Sequence, residues 1–147
     1  MQRSMRILFS ALVAVVLASP VFGKPVEPAL PPPPPFVESS VPAGKALVYI
    51  YRLEGFNDVL ILARSGPIGR LPPKSYLSYT PDPETVKLWL TGTSVADLKM
   101  DVVAGQIYYV KAEIGPGLFF AGTWTCSLKL VPRADAMKEM AGLKQTE

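Results

Sequence analysis

From Gly44 onward the apolar residues recur at every second position, in short runs broken by Gly, Pro, Asp and Asn. A period of two puts successive side chains on opposite faces of an extended chain, so these runs predict an antiparallel β domain. The clearest case is "DLKMDVV": Leu98, Met100 and Val102 face one way, for a core, and Asp97, Lys99 and Asp101 face the other, for water. "TVKLWL" likewise sets Val86, Leu88 and Leu90 against Lys87 and Trp89. "ALVYIYR", Ala46 to Arg52, opens the domain. "DVLILA", Asp58 to Ala63, is nearly all apolar and is expected to be covered on both faces.

The second half continues the pattern. "AGQ" turns the chain, with Gly105 free to take positive φ, into "IYYVKAEI", where Tyr108, Val110, Ala112 and Ile114 form an apolar row. "TWTCSLKLV" places Trp124, Cys126, Leu128 and Leu130 on one side, which makes Cys126 a small buried hydrophobe rather than a reactive thiol. Pro132 suits the first turn of a helix, and "RADAMKEMAGLK" carries Met137, Met140 and Ala141 on one stripe. The expected fold is therefore all-β: an antiparallel β-sandwich of about seven short strands with a short C-terminal helix, over residues 44 to 147.

Residues 1 to 23 read as a secretory signal peptide, because Arg3 and Arg6 precede the apolar run Ile7 to Ala18, and Val21 and Gly23 suit cleavage after Gly23. An uncleaved signal is the one route to a membrane. The only cysteine, Cys126, is far from any lipid-attachment position. Residues 24 to 43 contain eight prolines, five of them consecutive from Pro31 to Pro35. Proline fixes φ and donates no hydrogen bond, so this stretch is expected to be an extended polyproline spacer outside the fold, with a ligand for a proline-recognising partner as the alternative. These segments place the protein in the periplasm or outside the cell.

The composition excludes much chemistry. Histidine is absent, which removes Ser-His-Asp and Cys-His nucleophile systems and nearly all zinc sites, and a lone cysteine allows no intrachain disulfide. Without Arg3 and Arg6, thirteen basic residues face twelve acidic ones, a net charge of +1, and no cluster suits nucleic acid. "GRLPPKSYLSY", Gly69 to Tyr79, imitates a nucleotide-binding loop. However, Pro72 and Pro73 have no N–H for a phosphate and the next residues alternate like a strand, so it reads as a strand-connecting turn in which Gly66 and Gly69 permit the tight backbone. Asp97 and Asp101, four apart on a strand, lie roughly 13 Å from each other, too far for a glycosidase pair. No catalytic residue, metal site or cofactor is expected.

Aromatic residues remain as the class able to mark a binding surface. Tyr49, Tyr51, Tyr76, Tyr79, Trp89, Phe119, Phe120 and Trp124 are available, and most are expected to fill a core between two sheets. Trp89, which opposes the apolar row of its own strand, and Phe119 or Phe120 in "GPGLFF" are the candidate binding residues.

Gly44 to Arg52, Pro67 to Leu77 and Ala104 to Val110 carry a Gly-Lys-Ala-hydrophobic-Tyr-hydrophobic-Tyr-Arg strand, a Pro-Ile-Gly-x-Leu turn leading to Ser-Tyr, and an Ala-Gly-x-x-Tyr-Tyr-Val hairpin. In these the chain resembles a widespread bacterial family of small exported proteins, many of them lipoproteins, whose function is unknown. It departs from that family in lacking the lipid-attachment cysteine and a Pro-Gly-x-His turn, in whose place stands "PDPETVKL". The resemblance implies a β-sandwich in the cell envelope and supplies no reaction. The expected role is a non-catalytic structural or binding module; the alternatives are a domain that binds a glycan or envelope polymer and an inhibitor or toxin-neutralising protein with one protein partner.

Overall fold

In the computed structural model, which describes residues 23, 28–92, 94–116 and 124–147, strand β1 (Leu47–Arg52) is buried along its whole length. The expected signal sequence, apart from Gly23, lies outside the described residues, as do Phe119 and Phe120. The contacts divide the chain into Met1–Pro31 and Pro32–Glu147. In the first unit, residues 28 to 31 are exposed and without regular structure.

Within the second unit, the described residues form nine strands in two sheets. One sheet has the order β8-β7-β1-β4-β9, where β4 is Ser75–Tyr79, β7 Ile107–Pro116, β8 Trp124–Leu130 and β9 Lys144–Gln145. The other has the order β3-β2-β5-β6, with β2 Val59–Ala63, β3 Gly66–Leu71, β5 Thr85–Thr91 and β6 Val95–Asp101. The all-β sandwich is as the alternation requires. Two neighbours run parallel, β1 with β7 and β4 with β9, and the remaining pairs are antiparallel.

Parity along β1 sorts its side chains between two cores. Ala46, Val48 and Ile50 face the opposite sheet and pack with Ile61, Leu88, Leu90, Val110 and Leu128. Leu47, Tyr49 and Tyr51 project from the other side and are buried as well, under Phe36, Ala136 and Met140. Ala136 belongs to α1 (Arg133–Glu139) and Met140 caps it. The strand covered on both faces is thus β1, while β2, expected in that role, has only Val59, Ile61 and Ala63 buried. The reason is placement: β1 is the middle strand of its sheet and lies under the helix, whereas Leu60 and Leu62 of β2 face outward.

Much of the expected spacer lies against the domain. Phe36 is only 7% exposed, with Tyr49 and Tyr76 edge-on at 5.0 and 5.2 Å between centroids. Tyr49 stacks on Tyr109 at 5.7 Å, and its hydroxyl accepts a 2.7 Å hydrogen bond from the Ser39 amide. Gly142 N–H donates to the Pro34 carbonyl at 3.0 Å. Glu38 takes a two-pronged bond from Arg133, 2.8 Å on each oxygen, and a further one from the Tyr109 hydroxyl. A segment whose composition gives no core of its own is therefore fastened by one phenylalanine, one carboxylate and two main-chain hydrogen bonds.

Several boundaries differ from expectation. Gly66–Leu71 is strand β3, so the turn begins at Pro72; Lys74 takes a left-handed φ of 56°, and Ser75 Oγ donates to the Pro72 carbonyl at 2.6 Å. In β8, Leu128 is buried and Cys126 is half-buried against the core, but Trp124 and Leu130 are exposed. The helix stops at Glu139, and after the turn at Gly142, whose φ is 78°, Lys144 and Gln145 return to pair as β9 beside β4.

Replacing Phe36 by Ala should cost about 3 kcal/mol, the usual range for a buried phenylalanine, seen as a lower urea midpoint with an unchanged slope. Arg133, by hydrogen bond and charge, holds the Glu38 carboxyl below its ordinary value of 4.5 against the opposing effect of burial. Ionised Glu38 therefore stabilises the fold above that ordinary value, and the contribution disappears as pH falls through the lower native one. Thermal melts of wild type and Glu38→Gln should differ near neutrality and converge in acid below it; a gap that persisted there would contradict this account.

Candidate functional site

The outer face of the four-stranded sheet is built by the same alternation that builds its core. In β5, Val86, Leu88 and Leu90 are buried, so Lys87 and Trp89 are turned outward. Register then fixes their neighbours: Trp89 lies between Leu62 of β2 and Asp97 of β6, and Leu62 in turn opposes Pro67 of β3. Trp89 is half-buried, with Lys87 Nζ 5.2 Å from its ring centre. Arg64, Thr85, Lys87, Trp89 and Lys99 line a shallow depression of about 500 Å³.

The charges of this face are uneven. Lys87 stands directly opposite Lys99, a like-charge pair that weakens a sheet rather than supporting it. Lys87 finds its counter-ion diagonally in Asp97 at 3.2 Å, both exposed, and Asp101 is engaged by the Thr85 hydroxyl. The two aspartates are thus separately occupied, as their spacing on the strand requires. The depression presents the Trp89 indole with Lys87 over its ring and Arg64 and Lys99 beside it.

A second polar cluster is closed upon itself. Lys111 bridges Glu113 at 3.5 Å and Glu139 at 3.1 Å; Glu113 also pairs with Lys129 at 2.6 Å, and the Tyr51 hydroxyl donates to Glu139 at 2.6 Å. Burial, then the bond to Glu139, pushes the Tyr51 hydroxyl well above the ordinary tyrosine range. Burial works to lower the Lys111 value, but Glu139 and Glu113 outweigh it. The Lys129 hydrogen bond holds Glu113 below the usual carboxylate range. Each charge is committed to a partner. Among the described residues no three His, Cys, Asp or Glu side chains group to hold a metal ion.

Sequence reasoning singled out Trp89, and the structure sets it on an open sheet face. Tyr49, Tyr51, Tyr76 and Tyr109 fill the core under the N-terminal segment instead of the space between the sheets, where Tyr79 packs. Arg52 was overlooked. Its parity with Ala46, Val48 and Ile50 is the signal, since it places the guanidinium on the face between the sheets; it is 1% exposed. Nε donates to Glu54 O at 2.8 Å, and Nη1 to the carbonyls of Asn57 and, at 3.3 Å, Leu71. Burial lowers its proton affinity, opposed by nearby Cys126 and Asp58.

The loop after β1 bends around this group at Gly55, whose φ is 134° and whose missing Cβ would stand 1.7 Å from Arg52 Nη2. Gly55→Ala combines a strained backbone with that overlap and should cost about 2 kcal/mol or more, read from urea unfolding. No family model matches the chain, and no curated protein is significantly similar to it.

Proposed function

We propose that this protein is an exported cell-envelope module that acts by binding rather than by catalysis, and that the Trp89 face of its four-stranded sheet holds an anionic envelope glycan. The observation that carries the reading is the Trp89 depression itself, an indole among Arg64, Lys87 and Lys99 on the outer face of the sheet. An indole offers an apolar plane to the C–H face of a sugar ring, and cations held against their own repulsion favour a polyanion. The closed Lys111, Glu113, Glu139 and Lys129 network supports the non-catalytic part, because no member is left over to exchange a proton. The basic, apolar run of residues 1 to 23 and the resemblance to exported bacterial proteins support the location.

Wild-type protein should be retained on immobilised cell-wall polysaccharide and released by salt, as expected of exposed charge contacts. Trp89→Ala should weaken retention about tenfold, the loss of one well-buried stacking contact, while the melting temperature stays near that of wild type. Equal retention of the two proteins rejects the reading, as does turnover of a hydrolase substrate that is lost on changing a single polar residue.

A further inference from the structure

At one end of the sandwich the two sheets part around a cavity of about 100 Å³, lined by Arg52, Gly55, Phe56, Asn57, Asp58, Val59, Gly92, Ile114 and Trp124. Three of these features argue together. Arg52 is buried, yet among the described residues no carboxylate lies within salt-bridge reach of it and Nη2 has no hydrogen-bond acceptor, its other nitrogens being spent on loop carbonyls. Gly55 packs its backbone directly on Nη2, where a Cβ would stand 1.7 Å away, and it lines the same cavity as Arg52, so the guanidinium end and the glycine border one space. Phe56, 87% exposed, and Trp124, 39% exposed, meet edge-on at 6.2 Å at the same cavity and leave apolar surface in water.

A buried cation with no carboxylate in contact is costly, even with Asp58 nearby, and an exposed aromatic pair beside it is a second unmet demand. We propose that this cavity binds a monoanionic carboxylate borne on an apolar group, the carboxylate on Arg52 Nη2 and the apolar part against Phe56 and Trp124. The cavity takes the carboxylate and the carbons next to it, and the rest of the apolar group lies at its mouth against Phe56 and Trp124. The single free guanidinium nitrogen, Nη2, matches one negative charge, and Asp58 on the rim disfavours a dianion such as phosphate. A free small acid and the C-terminus of a peptide both present this chemistry.

Calorimetric titration of the purified protein with phenylacetate, and with a short peptide ending in leucine, tests both sources. Phenylacetate or the free-acid peptide should bind, and whichever binds should lose about tenfold or more in affinity as its amide, the scale of a charge-assisted hydrogen bond. Trp124→Ala, at an exposed position, should weaken binding, and Asp58→Asn should tighten it; amide-group NMR shifts should centre on residues 55 to 58 and 124. Binding of the peptide alone assigns the natural source to a chain terminus, and of phenylacetate alone to a small acid. The proposal fails if neither acid binds, if the amides bind equally, if inorganic phosphate binds more tightly than either acid, or if both variants leave the affinity unchanged.

Discussion

Ala46, Val48 and Ile50 project from one side of β1 and Leu47, Tyr49 and Tyr51 from the other, and neither set meets water. A strand in that position needs a cover on each face. The second sheet supplies one, and the C-terminal helix with residues from Phe36 onward supplies the other. The architecture is thus three layers deep at its centre although only two are sheets, and a chain with no disulfide among its described residues holds together by packing around one strand.

That arrangement gives the proline-rich stretch a structural part. Prolines alone bring no hydrogen-bond donors and little conformational entropy to lose, which lowers the cost of laying the segment down. Phe36 among Tyr49 and Tyr76, and Glu38 between Arg133 and Tyr109, then secure it at two points. The same contacts tie residues early in the chain to the helix near its end, so the two termini of the domain close one core.

The surfaces left over differ in kind. The Trp89 face is an open, shallow depression with basic residues around the indole, suited to an extended ligand laid across strands. The Arg52 end is narrow and holds its charge inside, suited to one small group. Both follow from strand parity: Trp89 is one residue out of phase with Leu88 and Leu90, and Arg52 is in phase with Val48 and Ile50.

Period two in β5 and β6 determined from sequence alone that the chain forms a sandwich with one wet face, because Lys87, Asp97 and Lys99 cannot enter a core and their neighbours can. It also determined that Trp89 points outward. It did not separate β1 from β2, since both are nearly continuous in apolar or aromatic residues, and only their positions in the sheets decided which is covered twice. Composition marked residues 24 to 43 as a spacer outside the fold, but Phe36 enters a core, because the tyrosines that receive it come from β1, β4 and β7, far off in sequence. The burial of Arg52 likewise required a loop that closes on it through Gly55. Local pattern fixes which way a side chain points; what stands opposite it is set by the assembly of distant strands.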